Sequence, residues 1–311
     1  MLKKVSIKNV GLFKSNEYNL NKRINLLGAK NDVSGKSTFI RTMLMLKIFS
    51  DQDKEKISDS LFRGFENKNS NSHISVDYEI NDRKYIYKIE YNQKIIVSES
   101  LSEVVDSQIK TLISRKDSSI EFSQEEEKTF KMFRLDDNFS IIRMTDFYAV
   151  ENVPYFLEDC IDFFRGLLFS DKDNILFGLK LRNKGNFNRD LYEAAAFYNS
   201  NDEAHKIFEK FMQLEDHKMT KVEIIDAIAK DTLKEVKAPR FYSENCDFVP
   251  FMYLSSGVKS LYYISIDLFL ACSKKEKGIL FIDDLTKKVS EECLEIIIEY
   301  CRENNAQLIY S

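Results

Sequence analysis

Apolar and polar positions alternate strongly between residues 73 and 101. Ile74, Val76 and Tyr78 form one run, and Tyr85, Tyr87 and Ile89 form the next. A period of two predicts strands, and Asn81-Asp82 and Asn92-Gln93 supply turn chemistry, so the segment reads as an antiparallel meander. Residues 1–50 read as strand, turn, strand, loop and helix. Val5, Ile7 and Val10 mark the first strand, Ile24-Asn25-Leu26-Leu27 ends at Gly28, and Phe39 to Phe49 carries a helical apolar face. Residues 102–250 are mostly helical in pattern, as in Asp202 to Leu214 and Thr220 to Lys237, with Glu125-Glu126-Glu127-Lys128 as a solvated helix face. Further on, Val258 to Cys272 predicts an apolar helix and Gly278 to Ile282 a buried strand. Ser290 is placed as an N-cap with Glu291 and Glu292 in the first turn, and Leu308-Ile309-Tyr310 begins another strand.

Composition sharpens this α/β picture. Nine glycines and three prolines in 311 residues leave room for long regular elements. A hydrophobic share of 43% supports a sizeable core. No run reaches the ~18 apolar residues of a membrane span; the nearest, Leu261 to Cys272, contains Ser265 and Asp267. The first residues alternate like a strand and do not resemble a secretory leader. Five cysteines without CxxC spacing and three scattered histidines predict reduced, mostly buried thiols in a cytoplasmic protein, and no zinc site. A net charge of −4 counts against a dedicated nucleic-acid-binding module, though not against a local basic patch.

The chemistry concentrates in Gly28-Ala29-Lys30-Asn31-Asp32-Val33-Ser34-Gly35-Lys36-Ser37-Thr38. An apolar strand precedes it and a helix follows, which is the context a phosphate-binding loop requires. Backbone N–H groups of such a loop and of the helix start face the phosphates. Gly35 allows close approach, Lys36 reaches the β- and γ-phosphates, and the Ser37 hydroxyl ligates Mg²⁺. Standard spacing puts the first glycine at position 30, where this chain has Lys30; Gly28 serves if the loop is two residues longer. The alternative is a Ser/Gly loop feeding an ordinary helix.

Two later segments fit the same chemistry. Asp283 and Asp284 end the strand Ile279–Ile282, where an aspartate holds Mg²⁺ through water and a second carboxylate orients or deprotonates the attacking water. Leu254-Ser255-Ser256-Gly257-Val258-Lys259-Ser260-Leu261 puts a hydroxyl and a glycine N–H at a helix start, an anion-binding arrangement. Ser256 serves equally well as a plain N-cap, and the acid pair as a polar turn.

With these segments in this order, the sequence resembles the ABC/SMC-like ATPases of the RecF, Rad50 and OLD kind, and among them the compact bacterial AAA-15/AAA-21 group, described as AbiL- or RloA-like. Asp82 to Tyr87 and Ile96 to Leu101 resemble that group's β arm. The resemblance implies a P-loop NTPase sandwich. Its lobes are 1–101 (P-loop and meander) and 251–311 (signature helix and Walker B strand), with 102–250 as the insertion. It implies ATP and Mg²⁺ as cofactors, held by Gly28, Asn31, Ser34, Gly35, Lys36, Ser37 and Thr38. Ser37 and Asp283 are the metal ligands, and Asp284 with Lys36 the catalytic pair. Ser256 and Gly257 act across a homodimer or higher oligomer closed on nucleotide. The chain departs from the family pattern at Lys30, at Asp284 where a glutamate is usual, and after Tyr310, where a switch histidine is expected. Gln52, Gln93 and Gln108 are the candidates for the Q-loop glutamine.

The resemblance further implies control of a separate effector, a nuclease or toxin, in antiphage defence, with nucleic acid as a further partner and no membrane. Other readings are a nucleotide sensor without turnover, favoured by Asp284 and the missing histidine, and a DNA-repair clamp, disfavoured by the charge and by the lack of sustained heptads. A nucleotide kinase fits a bare P-loop but leaves Ser255-Ser256-Gly257 unexplained.

Overall fold

The computed structural model describes residues 1–11, 13–20, 22–28, 35–50, 70–92, 95–122, 139–143, 153–170, 191–229, 233–273 and 278–311. The chain divides into two compact units, Met1–Leu167 and Leu168–Ser311.

The first unit is built on a seven-stranded antiparallel sheet in the order β2-β1-β4-β5-β6-β7-β8. Its strands are β1 (Leu2–Val10), β2 (Phe13–Asn19), β4 (Ser72–Ile80), β5 (Arg83–Tyr91), β6 (Ile96–Val105), β7 (Gln108–Lys116) and β8 (Ser119–Phe122). The short β3 (Ile24–Leu26) and helix α1 (Lys36–Ser50) come between β2 and β4 in sequence. The expected meander is β4 to β6. Asn81 and Asp82 turn its first hairpin with φ of 50° and 59°, the left-handed pair that a two-residue hairpin turn of matching twist needs.

The alternation sorts the two faces of this sheet. Val5, Ile7, Ile74, Val76, Tyr78, Tyr85, Tyr87 and Ile89 are all buried. On the other face a small polar row runs in register across five strands, from Ser6 to Ser75, Lys88, Ser100 and Ser114. Helix α2 (Tyr155–Arg165) covers part of the apolar face. Phe163 stacks on Tyr78 at 4.0 Å between ring centroids, and Phe164 meets Tyr87 edge-on at 5.2 Å. Each phenylalanine so buried contributes about 2 kcal/mol. Asp159 of α2 fixes the helix to the hairpin by accepting from Asn81 (2.6 Å), Arg83 (2.9 Å) and the Tyr85 hydroxyl (2.6 Å).

The second unit contains β9 (Leu167–Ser170, starting at the boundary), α3 (Leu191–Ser200), α4 (Asp202–Glu215) and a three-stranded antiparallel sheet of β10 (Met219–Ile228), β11 (Glu235–Ser243) and β12 (Cys246–Val249). Then come a 3₁₀ turn (Phe251–Tyr253), α5 (Ser256–Ser273), β13 (Ile279–Ile282), α6 (Leu285–Lys288), α7 (Glu291–Glu303) and β14 (Gln307–Tyr310). β13 and β14 are parallel, joined through α6 and α7 as parallel strands must be by a crossover. β9 lies beside β13, and Phe169 stacks on Phe281 at 4.7 Å. All four residues of β13 are buried, which is why this strand reads as an unbroken apolar run.

Two sequence readings are corrected. Thr220 to Lys237 is not helical but the hairpin of β10 and β11. Its lysines and acids mimic helical spacing, yet Val222, Ile224, Ile225 and Ile228 are β-branched and stiff at χ1. Pro239 then falls on β11 where no β12 residue pairs, the position a strand tolerates for proline. More broadly, the described part of 102–250 holds strands β7 to β12 beside α2, α3 and α4, so "mostly helical" is wrong for it. The reading of 1–50 also missed β2, a polar edge strand of which Phe13 is the buried residue. Glu125 to Lys128 lie outside the described residues.

Among the described residues no helix is long and apolar enough to cross a membrane. Cys160, Cys272, Cys293 and Cys301 are buried and Cys246 is exposed, all as free thiols. Burial pushes the Cys293 thiol up to about 11 and Cys160 further, which makes both poor nucleophiles at neutral pH.

Candidate functional site

Of the predicted phosphate loop, Asn31 and Ser34 lie outside the described residues, together with Ala29, Lys30, Asp32 and Val33. Gly28 is exposed with open space where a side chain would stand. Gly35 caps α1: its carbonyl accepts from the Phe39 N–H at 2.9 Å. A Cβ on Gly35 would lie 2.5 Å from Cε1 of Phe13, so the buried Phe13 ring forbids a side chain there. Lys36, Ser37 and Thr38 are half-buried in the first turn of α1, where helix amides have no partner of their own. Thr42 holds that turn by donating to the Thr38 carbonyl at 2.7 Å. Among the described residues Lys36 makes no ion pair and the Ser37 hydroxyl no hydrogen bond.

The acid pair sits at the end of β13 in the second unit. Oδ1 of Asp283 accepts from the Ser311 hydroxyl at 2.6 Å and from the Asp284 N–H at 3.1 Å. The same hydroxyl accepts the Asp284 N–H at 2.7 Å, closing a small ring. Oδ2 of Asp283 makes no hydrogen bond among the described residues. One oxygen is therefore held and the other is free, a fit to a hard cation that takes oxygen donors. Asp284 has φ 53° and ψ 33°, a left-handed conformation that aspartate tolerates better than most residues. Its carboxylate pairs with Lys287 at 2.7 Å, and that neighbour raises the lysine pKa. The Lys288 ammonium donates to the Asp283 carbonyl at 2.7 Å.

The Ser-Ser-Gly segment resolves one ambiguity. Ser255 is the cap, accepting the Val258 N–H at 3.1 Å. Ser256 is the first residue of α5, exposed, with its carbonyl taking the Ser260 hydroxyl at 2.8 Å. Its own hydroxyl is not spent on capping. Gly257 is buried against Glu215, a residue that carries no sequence signal. Ser311 was equally missed, although it stands where the histidine was expected. Gln108 opens β7 and is exposed, and Gln52 and Gln93 lie outside the described residues. Among the described residues no cluster of three or more His, Cys, Asp or Glu could hold a metal.

No family model and no curated protein matches the sequence. Solved structures do. An SMC head bound to the C-winged helix domain of ScpA aligns with 99% of this chain and 88% of its own, at 10% identity and a TM-score of 0.51. The head domain of Smc with an extended coiled coil, bound to the C-terminal domain of ScpA derived from Pyrococcus furiosus, covers the same shares at 9% identity and a TM-score of 0.50. The chain has the SMC-head fold. That fold is α/β with a large antiparallel sheet, as the order of the motifs led us to expect. At this identity the likeness speaks for the fold alone.

Proposed function

We propose that this chain is a cytoplasmic ATP-binding head that dimerises around nucleotide and hydrolyses it to control a separate effector. The observation that carries the reading is the Lys36-Ser37-Thr38 turn at the head of a helix in an SMC-head fold, with Lys36 in no ion pair and the Ser37 hydroxyl in no hydrogen bond among the described residues. Lys36 neutralises the β- and γ-phosphates and the amides of the α1 turn receive them. Ser37 and Asp283 would hold Mg²⁺, which supplies charge neutralisation on the phosphates. Asp284 orients and deprotonates the attacking water once it leaves Lys287, an exposed pair that costs little to break. Ser256 and Gly257 of one copy close on the γ-phosphate of the other, so ATP favours the dimer because it contacts both faces there. The lobes 1–101 and 251–311 supply the site and 102–250 offers the effector its docking surface. The resemblance of the motifs to the AbiL- or RloA-like group points to a nuclease or toxin as effector and to antiphage defence as setting.

A second reading, a nucleotide sensor without turnover, is favoured by one observation: Asp284 is short, left-handed and paired with Lys287. ATP turnover measured beside light scattering, with and without ATP and Mg²⁺, separates the two. Turnover with an ATP-dependent dimer is the result expected; a dimer without turnover moves the assignment to the sensor. Lys36→Ala should abolish ATP binding, and tight binding by that variant would remove the P-loop assignment.

A further inference from the structure

We propose that Glu215 is a positioning residue that ties the head of α5 to the start of α7, and so couples Ser256 and Gly257 to the acidic turn of Asp283 and Asp284. This rests on the nucleotide-head reading above for its functional consequence, and on geometry alone for the bridge itself.

Glu215 is the last residue of α4. Its Oε2 accepts the Ser290 N–H at 2.7 Å. Ser290 is the N-cap of α7, and its hydroxyl accepts the Cys293 N–H at 3.3 Å. The other carboxylate oxygen lies against Gly257: a Cβ built there would be 1.9 Å from Oε1 and 2.5 Å from Cδ. The glutamate thus fills the space a side chain at position 257 would take. One carboxylate thus accepts a hydrogen bond from the start of α7 and packs against the start of α5, and each start favours negative charge through its dipole.

The short connection from Ser290 back to the acid pair is stiff. The Lys287 N–H bonds to the Asp284 carbonyl at 3.0 Å and the Val289 N–H to the Leu285 carbonyl at 3.3 Å. Leu285 is fully buried, and Asp284 is pinned by its left-handed backbone and the Ser311 hydroxyl. Gly257 has no room to approach Glu215 further. A movement of the head of α5 toward α7, as when Ser256 and Gly257 engage a phosphate, therefore passes through the carboxylate to Ser290 and on to Asp284. Glycine at 257 has a reason beyond the ligand: it makes room for the strut.

The test compares the parent chain with Glu215→Ala and Glu215→Gln. Without nucleotide, Glu215→Ala should raise amide hydrogen exchange about tenfold at both helix heads, residues 256–260 and 290–294, as local opening becomes easier. ATP affinity by equilibrium dialysis should stay within about twofold of the parent, while turnover at saturating ATP falls about tenfold, the worth of one lost hydrogen bond. Glu215→Gln keeps an oxygen for the Ser290 N–H and should recover most of the turnover, which a general loss of folding would not allow. Exchange that is unchanged, or that rises at 290–294 alone, overturns the bridge. Parent-like turnover in Glu215→Ala overturns the coupling. A parent that neither dimerises nor turns over ATP removes the nucleotide-head reading, and the exchange measurement still decides the bridge.

Discussion

The Ser311 hydroxyl donates to Asp283 across 2.6 Å and so fixes which carboxylate oxygen stays free. It also receives the Asp284 amide, so both acids are oriented by one side chain. Ser311→Ala keeps the size of the site and removes both bonds. The loss of about 1–1.5 kcal/mol of orientation corresponds to roughly tenfold in rate. We expect ATP turnover to fall by that factor while ATP affinity changes less than about threefold, since Lys36 and the α1 amides are untouched. Parallel turnover and equilibrium-dialysis measurements check this. An unaltered rate would mean that Asp283 needs no holding.

Asp284 and Lys287 form an exposed pair, and its consequence is kinetic. If Asp284 is the working base, Asp284→Ala should leave ATP binding intact, stop turnover, and accumulate an ATP-bound dimer visible by light scattering. Lys287→Ala should raise turnover about two- to threefold, because one cation that competes for the carboxylate is removed, with no change in melting temperature. A variant Asp284→Ala that still turns over at the parental rate would remove this residue from the chemistry.

The meander was legible because Ile74 to Ile80 and Tyr85 to Tyr91 alternate on either side of the Asn81-Asp82 turn, and β13 because all four of its residues are buried. Helix α1 and the turn after β13 were legible because each is contiguous in sequence. β2 was not, since an edge strand such as Phe13–Asn19 buries little and shows almost no apolar period. Residues 220–237 misled because charges at three- and four-residue spacing can decorate a strand as well as a helix. Two adjacent serines could not say which caps α5; the structure gives that task to Ser255 and leaves Ser256 exposed. Glu215 and Ser311 belong to no motif. They matter through partners 75 and 28 positions away in the chain, which periodicity does not report.

Glu99 gives the fold a pH dependence. It is buried on β6 and accepts from the Tyr87 and Ser140 hydroxyls and from the Ile141 N–H at 2.8 Å. Burial raises its pKa, and these donors and the Arg115 charge offset part of the rise. A raised carboxyl favours the protonated form in the folded state. Its contribution to stability is therefore full below the ordinary glutamate range of about 4.3 and is lost as pH rises through the raised value. Glu99→Gln carries no such titration. Urea unfolding at pH 5 and pH 8 should show the variant gaining on the parent at the higher pH. A pH-independent difference would mean that the donors cancel the burial.

Lys47 tests how α1 is anchored, independently of what its first turn binds. The ammonium is buried and donates to the carbonyls of Arg165 (2.8 Å) and Leu167 (2.7 Å), at the C-terminal end of α2. That end carries unpaired carbonyls and a partial negative charge, so a cation satisfies it twice over. Lys47→Met keeps the length and the apolar stem but leaves two carbonyls short of a donor in a dry site. The expected cost is about 2–3 kcal/mol in urea unfolding, since a buried acceptor without a partner forfeits its desolvation. Because Lys47 is on the last turn of α1 and Lys36 on its first, ATP affinity well below the denaturation midpoint should stay within about twofold of the parent. Stability lost with binding kept assigns Lys47 to the scaffold; a parallel loss of ATP affinity would instead show that the position of the α1 turn depends on this anchor.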